Sequence, residues 1–109
     1  MSLTLGEARA LATDLLAAEG LPADRARTTA EAITLADVWG IGSHGLLRLP
    51  SSRDRTRAGG YPPDAQLRTV LDTGPLVVLD GGGGLGHWQL DHAARLAREA
   101  NGVVDVIGL

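Results

Sequence analysis

The start of the chain repeats its apolar side chains at the three- and four-residue spacing of amphipathic helices. Thr4 and Glu7 have the spacing of a capping box, in which each side chain accepts a hydrogen bond from the other residue's free backbone N–H. Gly20 can end this first helix in a left-handed conformation. Pro22 then stands where the first turn of a second helix tolerates proline, and that helix continues to Gly40. The pattern therefore predicts a helical hairpin.

A third helix is predicted to begin at Ser43, whose hydroxyl can cap the helix N-terminus. Pro50 lacks a backbone N–H, so we expect this helix to bend or restart there before it ends at Gly59 and Gly60. The residues that follow, Tyr-Pro-Pro-Asp-Ala, have the composition of a loop. A helical N-terminal segment is thus predicted over residues 1–62.

The pattern changes after this loop. Residues 66–71 alternate between polar and apolar side chains, and residues 76–79 form a short apolar run, as half-buried and buried strands do. A glycine-rich turn and an amphipathic helix follow, and residues 103–107 form a last candidate strand. The β-β-α-β order over residues 63–109 predicts an α/β fold. Because such a unit needs further strands and a second layer to cover its faces, we expect a truncated fragment of a larger cofactor-binding domain.

The composition of the chain excludes several classes of binding partner and site. The chain of 109 residues has a formal charge of −3, and its ten basic residues are scattered arginines, so no nucleic-acid partner is expected. The lack of cysteine excludes disulfides and thiolate metal ligands. His87 and His92 flank Asp91, but positions i and i+5 do not share a helix face, so no metal site is predicted. No apolar run is long enough for a membrane span or leader, which predicts a cytoplasmic protein with no membrane partner.

The run Gly-Ser-His-Gly-Leu-Leu-Arg-Leu-Pro, residues 42–50, contains the main candidates for chemistry. On a helix, His44 and Arg48 are one turn apart and project from one face. Arginine can hold a carboxylate through two parallel hydrogen bonds, and a histidine can give a proton to a carbonyl oxygen as hydride arrives. Gly45 leaves room for a ligand to approach the backbone, and Ser43 offers a hydroxyl beside the imidazole. The same spacing also fits an ordinary capped helix start on a protein surface.

The segment ADVWGIGSHGLLRLP, with RAGG and DGGGGLG after it, resembles the N-terminal third of the malate/L-lactate dehydrogenase family. These are the type 2 NAD(P)-dependent 2-hydroxyacid dehydrogenases, and the resemblance runs over nearly the whole chain. It implies a helical N-terminal segment packed on a mixed α/β cofactor domain that is not a Rossmann fold, in a homodimer. It also implies hydride transfer between NAD or NADP and a small 2-oxo or 2-hydroxy acid.

Carried over residue by residue, the resemblance implies that Ser43 orients the histidine, that His44 is the proton donor, and that Arg48 binds the substrate carboxylate. The family's asparagine-rich segment and most of its cofactor contacts would follow residue 109. No cofactor-binding residue is therefore assigned, and hydride transfer is expected to need a complementing C-terminal chain.

The sequence departs from the family pattern at two places. Gly42 stands where members commonly have an aspartate, which removes a carboxylate from the predicted site. Ser51 and Ser52 stand where members usually have arginine and tyrosine, which removes an aromatic ring.

The glycine run offers a rival interpretation. Gly81, Gly83 and Gly86 spell G-x-G-x-x-G between a strand and a helix, and Asp105 stands near where a Rossmann fold has its ribose-binding acid. Because Asp105 lies inside its apolar run and four glycines match many spacings, a flexible turn is the preferred interpretation. Two alternatives to a dehydrogenase fragment stay open: a non-catalytic remnant that pairs with another chain, and a small nucleotide-binding domain.

Overall fold

The structure is a computed structural model that describes residues 3–108, apart from the side chains of Ser43 and Leu47. Its first part is the predicted helical hairpin, formed by helix α1 (Leu5–Ala18) and helix α2 (Ala23–Val38). The two helices pack through small, fully buried alanines, which let the helix axes approach closely. The hairpin therefore supplies a rigid base for the rest of the chain.

The signals that predicted the hairpin are confirmed in detail. The Glu7 N–H donates to Thr4 Oγ1 at 3.1 Å, and the Thr4 N–H donates to Glu7 Oε1 at 3.3 Å, so the capping box is complete. Gly20 has a φ of +105°, a conformation that side chains with a Cβ rarely adopt, and it turns the chain towards α2.

The predicted third helix is wrong in its first turn and a half. Two short 3₁₀ turns, Gly42–His44 and Leu46–Arg48, precede helix α3 (Leu49–Arg57). Gly45 separates the two turns with an extended backbone, so Ser43 lies inside a 3₁₀ turn and does not cap an α-helix. Pro50 lies in the first turn of α3, where its missing N–H would have had no partner in the helix. The predicted restart near this proline is confirmed.

The second part of the chain is a three-stranded sheet with one covering helix. Strands β1 (Arg68–Asp72), β2 (Leu76–Asp80) and β3 (Val103–Ile107) lie in the order β1-β2-β3, with β1 antiparallel and β3 parallel to β2. Helix α4 (Gly86–Ala100) connects β2 to β3 and packs on one face of the sheet. The predicted mixed α/β order is confirmed, although β1 begins two residues later than predicted.

Trp88, in the first turn of α4, joins the sheet unit to the hairpin. It is 8% exposed and belongs to the same buried cluster as the core residues of α1 and α2. The Arg25 guanidinium of α2 lies over the Trp88 ring, 3.9 Å from its centroid, and Arg25 Nη1 donates to the Ala65 carbonyl oxygen at 2.9 Å. This contact fixes the N-terminal end of α4 against the hairpin.

Among residues 3–108, no helix is both long enough and apolar enough to cross a membrane.

Candidate functional site

A cleft of about 530 Å³ lies between α3 and the N-terminal end of α4. One wall is formed by His44, Arg48 and the facing side of α3, and the other by residues 84–87. The volume is within the range of pockets that bind small molecules. None of the described residues that line this cleft is acidic.

His44 and Arg48 both line this cleft, although they do not share an α-helix as predicted. They lie on the two successive 3₁₀ turns, and both residues are exposed. Both residues therefore line one cleft although the local backbone is not the predicted α-helix, and their convergence on one ligand stays a prediction. The predicted role of Ser43 concerns a side chain outside the described part of the structure.

Asp37, in the last turn of α2, determines the shape of the chain between these turns. Its Oδ2 accepts a hydrogen bond from the Leu46 N–H at 2.8 Å. A Cβ at position 45 would overlap the Asp37 carboxylate. The space at Gly45 is thus occupied by Asp37, and the prediction that Gly45 leaves room for a ligand is wrong. Sequence reasoning missed this residue because the contact joins two separate elements.

One face of α3 points into the cleft. Ser51, Ser52 and Arg55 lie on one side of α3 and line the cleft, next to Arg48 in the preceding 3₁₀ turn. This stripe was not predicted, although its helical spacing is visible in the sequence. The stripe places a second arginine, Arg55, in the same cleft as Arg48.

The opposite face of α3 holds the helix against the hairpin. Arg53 Nε and Arg57 Nη2 lie 3.1 Å and 2.9 Å from Oε1 of Glu19, the residue after α1. The hydrogen bond from Arg57 and then that from Arg53 lower the pKa of Glu19 below its usual value, although desolvation opposes the shift. These two arginines therefore have a structural role.

Arg55 is oriented by Tyr61, which follows α3 in the chain. Arg55 Nη1 donates to the Tyr61 hydroxyl oxygen at 2.8 Å, and the guanidinium lies 5.4 Å from the ring centroid. Within residues 3–108, Arg55 has no acidic residue within ion-pair distance, in contrast to Arg53 and Arg57. Its hydrogen-bond donors other than the one used by Tyr61 are available to a ligand.

The glycine loop before α4 uses its own N–H groups inside the protein. The N–H groups of Gly81 and Gly83 donate to the carbonyl oxygens of Ile107 and Gly108 at 2.8 Å and 2.7 Å. Those of Gly82 and Gly84 donate to Asp80 Oδ1 at 2.9 Å and to the Gly81 carbonyl oxygen at 3.2 Å. A phosphate cradle needs such N–H groups to point at the ligand, so this geometry does not support the rival nucleotide-binding interpretation.

His87, the second residue of α4, lines the cleft opposite α3. Desolvation of its imidazole lowers the pKa of His87, and the charge of nearby His44 lowers it further. The fold therefore favours the neutral form of His87. His87 is an exposed residue, and its place in the cleft was not predicted from the sequence. The signal for it is the position directly after the glycine loop, at the start of a helix.

Comparison with known proteins identifies the relatives of this chain. A family model described as malate/L-lactate dehydrogenase matches residues 3–103. The L-lactate dehydrogenase of Cupriavidus necator is 43% identical over 86 residues, which make up 79% of this chain and 25% of that protein. The (2R)-3-sulfolactate dehydrogenase (NADP(+)) of Chromohalobacter salexigens is 36% identical over 110 residues, covering 97% of this chain and 33% of that protein.

A solved structure agrees with this result. The sulfolactate dehydrogenase from Methanocaldococcus jannaschii matches with a TM-score of 0.93 and 30% sequence identity, over 97% of this chain and 32% of that chain. The chain thus spans about a quarter to a third of the length of these relatives. Since the family model covers nearly all of the sequence, the chain belongs to the malate/L-lactate dehydrogenase family.

Proposed function

We propose that this chain provides the acid-binding and proton-donating side of the active site of a 2-hydroxyacid dehydrogenase. The observation that carries the proposal is that His44 and Arg48 line one cleft that has no acidic residue among its described lining. A guanidinium in such a cleft attracts a carboxylate and can bind it through two parallel hydrogen bonds. The relatives named above act on lactate and sulfolactate, which both carry that carboxylate.

In this proposal Arg48 holds the carboxylate of a 2-oxo acid, and the imidazolium of His44 donates a proton to the 2-oxo oxygen. In the reverse direction, neutral His44 accepts the proton of the 2-hydroxyl group. A positioned histidine contributes about 10²–10⁴-fold to the rate of such a step. Ser43, as the resemblance implies, orients the imidazole.

His87 supports this assignment through its charge state. Desolvation lowers the pKa of His87, so the fold disfavours a second positive charge next to His44. The neutral ring also keeps a nitrogen lone pair that can accept a hydrogen bond from the substrate.

The family implies NAD or NADP as the hydride carrier, and the glycine loop does not offer N–H groups to its phosphates. The N–H groups of the glycine loop, Gly81 to Gly84, all donate inside the protein. We therefore assign no residue of this chain to the cofactor and derive no step from it.

We further propose that activity needs more polypeptide than these 109 residues. The outer face of the sheet exposes apolar side chains such as Val103, at 63% exposure, and Ile107, at 46%. A βαβ unit normally has both faces of its sheet covered. The missing layer comes from further sequence of the same protein, from a complementing chain or from a homodimer partner.

Titration of the isotope-labelled chain with pyruvate, followed by NMR, tests the acid site. We expect the backbone signals of Gly45 and of residues 84–87 to shift, and Arg48→Leu to abolish those shifts. Arg27→Leu, which removes an exposed arginine of α2 outside the cleft, is the matched control and should leave them intact. Unchanged pyruvate binding by Arg48→Leu would refute the carboxylate role.

The catalytic role needs a second measurement. The chain is mixed with the segment of the Cupriavidus necator relative that lies beyond the matched region, and pyruvate-dependent oxidation of NADH and NADPH is followed. Activity that appears only in the mixture, and that His44→Asn lowers about 10²–10⁴-fold, supports the proposal. An equal rate with His44→Asn would exclude His44 as the proton donor, and no activity under any condition would favour a non-catalytic remnant.

A further inference from the structure

The glycine loop before α4 packs against a buried polar side chain that takes no part in the proposed chemistry. Gln89, in the first half of α4, is fully buried, and its Nε2 donates to the Gly81 carbonyl oxygen at 2.8 Å. A fully buried glutamine is uncommon, because its amide needs hydrogen-bond partners inside the protein. Gln89 Oε1 has no such partner among the described residues. The amide therefore makes a single described hydrogen bond, and that bond holds the glycine loop.

The loop is built closely around this amide. The three atoms that a Cβ at position 81 would meet first all belong to the amide group of Gln89. A Cβ at position 84 would meet Gln89 Nε2 at 2.9 Å and Ala65 Cβ at 2.7 Å. Neither Gly81 nor Gly84 has the positive φ that would by itself require glycine. Close packing on Gln89, joined by Ala65 at position 84, therefore accounts for these two glycines.

The position of the loop determines one wall of the cleft. Residues 84–87 form the wall opposite His44 and Arg48. Leu85 and Trp88 belong to the core cluster of the hairpin, which fixes the end of the wall nearest to α4. The other end of the wall begins at the glycine run, which has no apolar side chain to anchor it.

A run of four glycines has little conformational preference of its own. Gly82 and Gly83 have φ values of +61° and +77°, and a glycine can adopt many other conformations at small cost. We propose that Gln89 is a positioning residue for the acid-binding cleft: its buried amide keeps the glycine loop, and with it the wall at residues 84–87, in the place that ligand binding requires. This inference rests on the proposed function and adds a residue that acts through the loop without touching the ligand.

NMR relaxation of the ligand-free chain tests the first step. Gln89→Met keeps an unbranched side chain of similar length and removes the amide. We expect the backbone order parameters of Gly82, Gly83 and Gly84 to fall from about 0.85 to below about 0.6, the range of flexible segments. The free energy of unfolding in urea should not decrease, because the substitution also removes a buried acceptor without a partner.

Pyruvate binding tests the second step. The apparent dissociation constant of Gln89→Met should rise about fivefold, as expected when about one-fifth of the molecules have the wall in place. Weaker binding without a loss of global stability is the result that a merely structural role of Gln89 would not give. Thr29→Val is the matched control, since Thr29 of α2 is also fully buried and its hydroxyl also lacks a described partner. It should change neither the order parameters nor the dissociation constant.

A double-mutant cycle tests the contact from the side of the loop. Gly81→Ala should raise the dissociation constant as Gln89→Met does, because the new Cβ overlaps the Gln89 amide. In a Gln89→Ala background that space is free, so Gly81→Ala should have no further effect. Circular dichroism confirms that each variant is folded.

Three results would overturn the role of Gln89 while leaving the acid site at Arg48. These are an unchanged loop and unchanged binding in Gln89→Met, equal changes in Thr29→Val, and additive effects of Gly81→Ala and Gln89→Ala. If the unmodified chain does not bind pyruvate, the proposed function fails, and this inference fails with it.

Discussion

A single methyl group at Gly45 would collide with the carboxylate of Asp37, so this glycine can be tested by substitution. We expect Gly45→Ala to destabilise the fold by about 1–3 kcal/mol, because the new Cβ has to displace a carboxylate that accepts the Leu46 N–H. The free energy of unfolding in urea measures the effect.

The matched control is Gly6→Ala in α1, where a Cβ would meet only one atom, 4.0 Å away. This change should stabilise the helix by about 0.5–1 kcal/mol, since alanine is the better helix former. Equal effects of the two substitutions would show that close packing at Gly45 is not what shapes the turn.

The neutral preference of His87 predicts a dependence of stability on pH. Because the folded state lowers the pKa of His87, the unfolded chain binds the proton more readily. Stability should fall as the pH drops below the ordinary histidine range, until the folded pKa has been passed. The groups that line the cleft with His87 and share its field are His44, Arg48, Arg55 and Tyr61.

The predicted fall of stability in acid is checked by measuring thermal midpoints between pH 8 and pH 5 for the unmodified chain and for His87→Gln. The loss of stability on acidification should be smaller in His87→Gln. His92→Gln, on the same helix but outside this cleft, should lose as much stability as the unmodified chain. An identical pH profile for all three proteins would count against a preference of the fold for neutral His87.

Helix α3 depends on one carboxylate for its attachment to the hairpin. The lowered pKa of Glu19 means that its contacts with Arg53 and Arg57 contribute above the pKa of an unfolded glutamate and are lost as the pH falls through the lower, folded value. We expect Glu19→Gln to lower the thermal midpoint at neutral pH and to flatten its decline in acid.

Only a modest effect is expected, because these contacts are close to solvent. Glu99→Gln, at an exposed position of α4, is the control. It should change neither the thermal midpoint at neutral pH nor the decline of the midpoint in acid. A neutral-pH midpoint for Glu19→Gln equal to that of the unmodified chain would show that apolar packing alone attaches α3.

Local signals were sufficient to predict most helices and strands, but not the shape of the site. The capping box at Thr4 and the apolar run of β3 depend on neighbouring residues, so the sequence pattern contains them. The helical backbone is interrupted at Gly45 because Asp37 contacts this segment from α2. The spacing of apolar residues along the chain does not predict such a contact. The positions of Arg55 and His87 in one cleft were not predicted, because they depend on how α3 and α4 face each other.

The packing of Trp88 predicts that the hairpin and the sheet unit unfold together. This ring is buried in the core cluster of the hairpin although it belongs to α4, so Trp88→Ala should cost about 3–5 kcal/mol. A loss of that size approaches the total stability of many small domains. Trp39, which is 69% exposed, offers a matched control, and Trp39→Ala should change the stability by less than about 0.5 kcal/mol.

Denaturant unfolding followed by far-ultraviolet circular dichroism measures both tryptophan variants. A Trp88→Ala protein that unfolds in two separate steps, or with unchanged stability, would mean that the two parts do not share one core. A large loss in Trp39→Ala would instead reveal packing of that ring which its exposure does not indicate.

The division of α3 into an anchoring side and a cleft side has a practical consequence for protein engineering. Glu19 binds Arg53 and Arg57 on one side, while Ser51, Ser52 and Arg55 line the cleft on the other. A mutant library confined to the second set can be screened for new acid preferences with little risk of collapsing the scaffold. Ligand selectivity and the stability of the fold therefore depend on different residues of the nine-residue helix α3.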